Sequence, residues 1–354
     1  MRITFVLPDI GMSGGVIVVF EYANHLHERG HQVSIIFPLI PIEWSDTKWY
    51  NIRTTAGKIK GIAQKLVQGN KINWFDLKAK LIRVTSLSER YVPDSDIIVA
   101  TWWRTAYAIA QYGNSKGKKF YLAQHYEIWG GPKEKVDLSY KLGLKIVSVS
   151  SWLKNIIENE LGGDVEAVIL NAPSWKFYPE NRKENKTVRI LMPYRKERWK
   201  GFSDGIEAFE MARRKYANIQ LVAFGPYQGR NLPQYAEFHR KPAGAELRKV
   251  YNSCDIFLFP SHCEGFGLPP MEAMACRLAV VTTNVGAVCE YTIPGETALV
   301  SEPRDIKSLA QNIVKLIENE KERNLIAEKG HNYIKQFTWD NATDKLEKIF
   351  EKYI

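Results

Sequence analysis

The stretch 261–290 constrains this chain more than any other part of it. It begins S-H-C-E-G-F-G-L-P-P-M-E, and the apolar run D-I-F-L-F-P just before it is typical of a buried strand. Glu264 and Glu272 have seven residues between them, among them two glycines and two adjacent prolines. Because proline in a first helical turn has its backbone preset, we expect a helix over 268–276. The sequence therefore predicts a strand, a glycine loop and a helix in direct succession.

The chemistry of this stretch suits a phosphorylated sugar. A glycine loop that opens into a helix presents backbone amides and the positive end of the helix dipole, and both bind anions. Glu264 lies on the predicted loop and Glu272 in the early turns of the predicted helix. Their carboxylates would accept hydrogen bonds from sugar hydroxyls. Two incidental acids around a capped helix are the alternative interpretation.

The segment E-G-F-G-L-P-P-M-E resembles the E-x7-E signature of the retaining GT-B glycosyltransferases of family 4, also called glycosyltransferase group 1. From Arg195 to about Trp339, the landmarks of that family's nucleotide-binding domain follow in order, whereas the N-terminal half matches more weakly. The resemblance implies an α/β fold with GT-B architecture. In that architecture two Rossmann-like β/α/β domains face each other across a cleft, and a C-terminal helix crosses back to the first domain.

The length of 354 residues fits two α/β domains better than one. We expect an acceptor-binding domain over 1–172 and a nucleotide-sugar-binding domain over 188–337. Between them, 173–187 is polar and punctuated by prolines, which is typical of a linker. The range 338–354 is predicted to be the helix that returns to the first domain.

The resemblance assigns roles in the second domain. Arg195 and Lys200 follow a predicted strand over 188–194, and two fixed cations there would stabilise a leaving diphosphate. Glu264 is expected to bind the donor sugar and Glu272 the ribose. The remaining predicted donor contacts come from the backbone and from the start of the base pocket, and they are Gly225, Gly265, Phe266, Gly267 and Leu268.

The first domain offers glycines and a histidine. A predicted strand over 3–10 leads to Gly14 and Gly15, which the resemblance places beside the donor diphosphate, although an ordinary turn would also need glycine. His125 follows a predicted strand over 120–124, at the sheet edge where ligands bind. The resemblance implies that His125 lies close to the transferred sugar. Together with Glu264, Arg195 and Lys200, it completes the predicted catalytic set.

Three residues are candidates for acceptor binding. Trp102, Trp103 and Arg104 stand at the carboxyl end of a strand predicted over 96–103. An aromatic ring there could stack on a sugar, and packing in the core is the equal alternative.

The sequence predicts no metal site and no cofactor other than the nucleotide sugar as substrate. Asp94 and Asp96 imitate a D-x-D metal motif, but they precede a strand, whereas ligands bind beyond carboxyl ends, so we expect a structural turn. His262 and Cys263 are adjacent, but no second pair completes a metal site. The four cysteines are too widely spaced for C-x-x-C motifs and are typical of a reduced, cytosolic protein.

The net charge of +10 is concentrated in a predicted basic insertion over about 41–90. Between Lys48 and Arg90, ten basic residues face two acidic ones, which gives this range a net charge of +8. Within it, 59–67 has apolar residues at helical spacing, and tryptophans flank it. This pattern suits an anionic membrane surface, and an ordinary helix covering the core is the alternative. No nucleic-acid-binding motif accompanies the charge, so we expect no nucleic-acid partner.

No apolar run approaches the ~18 residues that span a bilayer, and the first residues are predicted to form a strand rather than a signal peptide. We therefore expect a cytoplasmic protein, peripheral at the inner face of the cell membrane. Arg277 departs from the resemblance, because the family usually has a glycine after this helix. A strained backbone at Arg277 or a redirected helix end is expected.

The resulting prediction is a retaining, metal-independent hexosyl- or deoxyhexosyltransferase. It would move a sugar from a UDP-, GDP- or dTDP-sugar to a glycan or lipid-linked acceptor in cell-surface polysaccharide or glycolipid synthesis. Three alternatives remain open. They are a GT-B phosphorylase or epimerase, a non-catalytic GT-B partner subunit, and a membrane- or polysaccharide-binding module without nucleotide affinity. The sequence leaves the base, the sugar and the acceptor open.

Overall fold

The structure is a computed structural model that describes residues 1–39, 72–181, 187–229 and 232–354. The described residues separate into two compact units. The first unit lies within Met1–Val149, Leu153–Ile169 and Trp339–Ile354. The second unit lies within Ser150–Trp152 and Leu170–Thr338. Each unit has its own parallel sheet.

The first unit is built on a seven-stranded sheet in the order β3-β2-β1-β4-β5-β6-β7. Its strands are β1 (Arg2–Val6), β2 (Gln32–Pro38), β3 (Lys80–Val84), β4 (Ile97–Ala100), β5 (Lys118–Ala123), β6 (Lys145–Ser148) and β7 (Val165–Val168). The helices along this part of the chain are α1 (Gly14–Glu28), α2 (Trp103–Ala110), α3 (Lys133–Ser139) and α4 (Ser151–Asn155), which continues as a π-helical turn over Ile156–Glu160. All four residues of β4 are buried, as expected for a parallel strand covered on both faces.

The second unit has a six-stranded sheet in the order β10-β9-β8-β11-β12-β13. Its strands are β8 (Val188–Pro193), β9 (Ile219–Gly225), β10 (Glu237–Arg240), β11 (Ile256–Phe259), β12 (Ala279–Thr283) and β13 (Leu299–Ser301). Its helices are α5 (Phe202–Lys215), α6 (Ala245–Asn252), α7 (Leu268–Ala275), α8 (Ile306–Glu318) and α9 (Glu320–Ile334). Helices α5 and α8 pack against the sheet and form one hydrophobic core with it, in which Phe209, Leu221 and Ile313 are wholly buried.

The strand order of the second sheet creates a topological switch point between β8 and β11. These strands are direct neighbours, with Ile190 opposite Ile256. From β8 the chain next forms β9 on one side, and from β11 it next forms β12 on the other side. The two connections therefore leave in opposite directions and open a crevice beyond the carboxyl ends of the two strands, which is where ligands bind in open α/β sheets.

The C-terminal helix α10 (Trp339–Glu351) belongs to the first unit. The Phe350 ring packs on Phe120 with 4.8 Å between ring centroids. Near the other end of the helix, Trp339 meets the Tyr22 ring edge-on at 5.1 Å. On its polar side, the Glu347 carboxylate accepts hydrogen bonds from Arg29 at 2.8 Å and from His31 at 2.6 Å. Aromatic packing and ion pairs thus hold the helix on this unit.

Several predicted elements differ from the observed ones. The strand predicted over 96–103 ends at Ala100, because the chain turns into α2 at Trp103. The first strand ends at Val6 instead of Ile10. The predicted basic insertion contains the edge strand β3, and its amphipathic stretch 59–67 lies outside the described residues. In the part of the chain that the structure describes, no helix has the length and apolar character to cross a bilayer.

Candidate active site

The loops that follow β8 and β11 lie directly against each other in the second unit. The backbone N–H of His262 donates to the carbonyl of Trp199 at 2.7 Å. Gly201 has a left-handed φ of +61°, and a Cβ at this position would lie 1.8 Å from the Pro260 carbonyl oxygen. Only glycine satisfies both conditions. The glycine in R-x4-K-G therefore brings Lys200 to the loop that carries Glu264.

Lys200 and Glu264 form the central contact of the site. The Lys200 Nζ lies 2.9 Å and 2.8 Å from the two carboxylate oxygens of Glu264. The Ser261 hydroxyl donates to Glu264 Oε1 at 2.7 Å, and Glu264 is only 7% exposed. A carboxylate this buried needs a charged partner with good geometry. The predicted diphosphate lysine and the predicted sugar carboxylate are thus in direct contact.

Glu272 lies on α7 in different surroundings. The Tyr251 hydroxyl donates to Glu272 Oε2 at 2.8 Å. Burial raises the pKa of Glu272 to about 7, against the opposing effects of the Tyr251 hydrogen bond and the positive charge of Arg195. Arg195 is therefore near enough for its charge to act on Glu272. Among the described residues, Arg195 itself has no hydrogen bond or ion pair.

The glycine loop offers backbone groups to a ligand. The Phe266 side chain is buried against the Tyr291 ring, and its carbonyl accepts from the Ala287 amide at 3.2 Å. The Gly267 carbonyl accepts from the Tyr291 hydroxyl at 2.5 Å. Because the carbonyls of Phe266 and Gly267 already accept hydrogen bonds, the loop amides are the backbone groups that we expect to bind a ligand. Gly265 is buried on the same loop, and Leu268 is half-buried at the first position of α7.

The start of α7 offers fewer backbone N–H donors to an anion than the sequence predicted. Pro269 and Pro270 both fall in the first turn, so two of the amides that a helix N-terminus normally exposes are missing. Helix α5 has no such loss. It begins after Gly201 without a side-chain cap, beside Lys200. The α5 N-terminus and the loop amides are therefore the better phosphate donors.

Gly225 ends β9 in close contact with the end of β8. A Cβ at Gly225 would lie 2.3 Å from the Tyr194 carbonyl oxygen, so a side chain is excluded. Just beyond it, the Tyr227 hydroxyl donates to Glu197 at 2.8 Å, and Lys196 lies over the Tyr227 ring. These contacts join the loops after β8 and β9 at the position where the resemblance implies the base pocket.

The predicted residues of the first unit gather at the carboxyl edge of its sheet. Gly14 and Gly15 open α1, and the Gln124 side chain donates to the Gly15 carbonyl at 3.2 Å. His125 follows Gln124, and its Nδ1 lies 3.1 Å from the Tyr126 carbonyl oxygen. The glycine turn and the histidine loop are thus neighbours within this unit, and their roles toward a donor stay predictions.

The candidate acceptor residues are more deeply placed than expected. Trp103 is fully buried and Arg104 is 8% exposed. The Arg104 guanidinium lies over the rings of Trp102 and Trp103 at 4.9 Å and 4.8 Å. Packing therefore accounts for Trp103 and Arg104, and the half-buried Trp102 alone keeps a partly accessible ring.

The sequence interpretation missed a buried carboxyl group in the first unit. Glu127 is 6% exposed and accepts from the Trp103 amide at 3.0 Å, at the start of α2. Burial raises the pKa of Glu127 to about 8. Tyr251 and Ser261 were missed as well, because a tyrosine in a helix and a serine after a strand carry no pattern that marks them as carboxylate partners.

Asp94 and Asp96, which have the spacing of a D-x-D metal motif, both form ion pairs. Asp94 pairs with Lys116 at 2.8 Å, and Asp96 pairs with Arg2 at 2.7 Å. These contacts fit the structural turn expected from the sequence. Within the described ranges, no group of three or more histidine, cysteine or acidic side chains is arranged to hold a metal ion.

Comparison with known proteins identifies the class. Residues 174–333 match the family described as glycosyl transferases group 1. This match confirms the resemblance for this part of the chain. The capsular polysaccharide biosynthesis glycosyltransferase CapM of Staphylococcus aureus is 28% identical over 234 residues, which cover 59% of this chain and 62% of CapM. The O-antigen chain mannosyltransferase B of Escherichia coli is 35% identical over 106 residues, 30% of this chain and 27% of that protein.

Solved structures match along the whole chain. Anabaena HepE in complex with UDP-glucose has a TM-score of 0.75 at 15% identity, with 99% of this chain and 100% of HepE covered. Sucrose-phosphate synthase from Thermosynechococcus elongatus has a TM-score of 0.74 at 15% identity, with 99% and 98% covered. This similarity confirms the predicted GT-B fold. The matches to the first two curated relatives span only about 60% of those proteins' lengths.

Proposed function

We propose that this protein is a glycosyltransferase that moves a hexosyl or deoxyhexosyl group from a nucleotide-diphospho-sugar to a glycan or lipid-linked acceptor. The observation that carries the proposal is the contact between Lys200 and the buried Glu264 carboxylate at the β8–β11 switch point. A cation for phosphate and an acceptor for sugar hydroxyls meet there, beside Arg195 and Glu272. A purely structural ion pair would have no need of these two additional groups.

The donor would lie with its diphosphate on Arg195, Lys200 and the α5 amides. The Glu272 carboxylate would accept the ribose hydroxyls, and Glu264 would accept hydroxyls of the sugar. HepE, which shares the fold, was solved with UDP and with UDP-glucose, and this supports a nucleoside diphosphate sugar as the donor class. Gly14, Gly15 and His125 are proposed as contacts from the first unit.

The proposed reaction retains the anomeric configuration by a front-face route. The bond from the anomeric carbon to the donor phosphate oxygen breaks, and the acceptor oxygen bonds to the same face of that carbon. The acceptor proton passes to the leaving phosphate oxygen. As charge develops on the diphosphate, the Arg195 guanidinium and the Lys200 ammonium stabilise it, which lowers the barrier.

We propose that the reaction needs no metal ion, because Arg195 and Lys200 supply the positive charge that a metal would give a diphosphate. Asp94 and Asp96, the acidic pair with D-x-D spacing, form ion pairs with Lys116 and Arg2. Transfer should survive excess chelator. Loss of activity on chelation, with recovery on adding Mg²⁺ or Mn²⁺, would contradict this part of the proposal.

The acceptor class is supported by the names of the relatives. CapM acts in capsular polysaccharide biosynthesis, and a lipopolysaccharide 1,2-N-acetylglucosaminetransferase of Salmonella typhimurium is 27% identical over 240 residues. A lipid-linked or glycan acceptor at the inner face of the membrane agrees with the basic range 48–90. Most of that range lies outside the described residues, so membrane contact stays a prediction. Binding to anionic vesicles that weakens with salt would support it.

A thermal-shift screen against UDP, GDP, dTDP and ADP tests the donor class. A ligand at 100 times its dissociation constant adds ~2.7 kcal/mol to the free energy of unfolding. We expect at least one nucleoside diphosphate to stabilise the protein more than its nucleoside does. The matching sugar nucleotide is then incubated with acceptor, with free phosphate, and alone. Turnover only with phosphate, or only without acceptor, would indicate a phosphorylase or an epimerase instead.

A further inference from the structure

A second polar contact joins the same two loops, and the proposed reaction does not use it. His262, two residues before Glu264, has its Nε2 2.7 Å from Asp204 Oδ2. Both side chains are largely buried, with 16% exposure each. The other oxygen of Asp204 accepts from the Ser203 hydroxyl at 3.1 Å. Both carboxylate oxygens of Asp204 are therefore engaged, on the first turn of α5.

We propose that His262 is a positioning residue, which through Asp204 holds Lys200 where the donor diphosphate must bind. The proposal rests on the proposed function. In the sequence, Lys200 lies between two residues that His262 contacts. The His262 backbone amide donates a hydrogen bond to the Trp199 carbonyl, and the His262 ring is hydrogen-bonded to the Asp204 carboxylate. The segment from Trp199 to Asp204 is thereby attached at both ends to the loop that carries Glu264.

The local backbone explains why such a fastening is needed. Lys200 ends a single 3-10 turn over Arg198–Lys200, and Gly201 then takes its left-handed conformation. A short turn followed by glycine has little stiffness of its own. A lysine side chain also loses much rotamer freedom when it is fixed. A support on both sides keeps the Lys200 backbone in place when its ammonium turns from Glu264 to the ligand, which reduces the cost of binding.

Charge gives a second reason. Asp204 is the acidic residue in the first turn of α5, the helix whose N-terminus is proposed to receive phosphate. Without its hydrogen bond to His262, the Asp204 carboxylate would compete with the diphosphate for the same helix amides. The hydrogen bond from the His262 ring directs the carboxylate onto His262. The histidine therefore keeps the acid in place and the helix start available to phosphate.

The test compares affinities for a nucleoside diphosphate and for its nucleoside by calorimetry. The probe is the tightest binder among UDP, GDP, dTDP and ADP. His262→Ala should weaken diphosphate binding about tenfold, which corresponds to ~1.4 kcal/mol, with the nucleoside affinity unchanged. His262→Gln restores an N–H donor toward Asp204 and should recover most of the loss. His239→Ala is the matched control, because His239 also bonds a carboxylate of the second unit, Glu237, at 2.8 Å.

A double-mutant cycle with Lys200→Ala separates positioning from a general structural role. If His262 acts largely through Lys200, adding His262→Ala to Lys200→Ala causes a clearly smaller loss of diphosphate affinity than His262→Ala causes in the wild type. Additive losses would overturn the proposal, and so would equal losses for diphosphate and nucleoside. Circular dichroism on each variant identifies any that does not fold. If His262→Ala does not fold, His262→Gln becomes the test, and a diphosphate affinity close to that of the wild type is the result that we expect. Failure of the wild-type protein to bind any of the four diphosphates would instead overturn the proposed function.

Discussion

Glu264 and Glu272 are the two carboxylates of the candidate site, and their surroundings give them different properties. Glu264 lies beside the Lys200 ammonium, which keeps a buried charge paired. Among the residues that the structure describes, the Tyr251 hydroxyl is the one direct partner of Glu272, and burial raises the pKa of Glu272 to about 7. Near neutral pH, Glu272 therefore changes its charge. The sequence predicted both residues, but only the structure separates their environments.

Glu272→Gln should change how stability depends on pH. The folded pKa of Glu272, about 7, lies above its ordinary value of 4.5, so the folded state binds this proton more tightly. The corresponding stability is fully present below about pH 4.5 and is lost as pH rises through about 7. The glutamine variant does not ionise, so it should gain stability relative to wild type between pH 5 and pH 8. Urea unfolding at both pH values measures the difference.

The control for this measurement is Glu320→Gln, because the Glu320 side chain is 74% exposed. Its stability relative to wild type should be nearly the same at both pH values. If the difference between Glu272→Gln and wild type did not grow with pH, the raised pKa of Glu272 would be contradicted.

Glu264→Gln should separate turnover from affinity. The variant keeps the side-chain shape but removes the negative partner of Lys200, which frees the ammonium for phosphate. The affinity for free nucleoside diphosphate should therefore hold or rise, while turnover with the full donor falls strongly. Glu272→Gln should instead weaken binding of the free nucleotide. Calorimetry and initial rates measure the two effects, and a loss of free-nucleotide affinity only in Glu264→Gln would mean that the two roles are reversed.

At the scale of elements, helix α7 ends in a Schellman motif built on an unusual residue. The Leu278 amide donates to the Ala273 carbonyl at 3.0 Å, and the Arg277 amide donates to Met274 at 2.9 Å. Arg277 has the left-handed φ of +60° that glycine normally supplies here. The sequence predicted either a strained backbone or a redirected helix end, and the structure has the first. Arg277 also forms an ion pair with Glu328 at 2.5 Å.

Arg277→Gly should stabilise the protein. Relief of the left-handed conformation is worth ~1–2 kcal/mol, and the exposed ion pair that is lost is worth ~0–1 kcal/mol. Arg277→Ala is the control, since it loses the same ion pair and keeps the strained φ. We expect the free energy of unfolding to decrease in the order Gly variant, wild type, Ala variant. A Gly variant less stable than the Ala variant would show that strain at this position is negligible.

The missed elements share a physical cause. Strand β10 reads E-F-H-R and β3 reads K-L-I-R-V, and both lie at sheet edges. An edge strand is not covered on both faces, so it lacks the continuous apolar run that identified β4 and β11. Charged residues are common on edge strands because they discourage pairing with other chains. Central strands could therefore be predicted from the sequence, and these edge strands could not.

At the scale of the whole molecule, the C-terminal helix is part of the first unit's core although it is the last element of the chain. Phe350 is fully buried against Phe120. Phe350→Ala should lower the free energy of unfolding of the first unit by ~3–5 kcal/mol. Leu325→Ala is the control, because Leu325 is 54% exposed on the second unit and should cost within ~0.5 kcal/mol. Chemical unfolding followed by tryptophan fluorescence measures both, and equal small losses would contradict the packing role.

The sequence predicted the class and the second unit better than the first. Motifs such as R-x4-K-G and E-x7-E are typical of the family that the chain resembles, so they could be recognised. The first unit's side chains form no comparable pattern. Trp103 does follow the carboxyl end of β4, but it begins α2 and its ring is fully buried. The sequence placed the residue at the ligand-binding edge without showing that its side chain packs in the core.

The most direct test of the central claim is a calorimetric titration of Arg195→Ala with the best nucleoside diphosphate and its nucleoside. Because Arg195 has no ion-pair partner among the described residues, its removal breaks no direct ion pair, unlike the removal of Lys200. Arg214→Ala, an exposed arginine at the end of α5, is the matched control. We predict at least a tenfold loss, ~1.4 kcal/mol, for the diphosphate only. Equal diphosphate affinities for Arg195→Ala and wild type would contradict a phosphate site at the β8–β11 switch point.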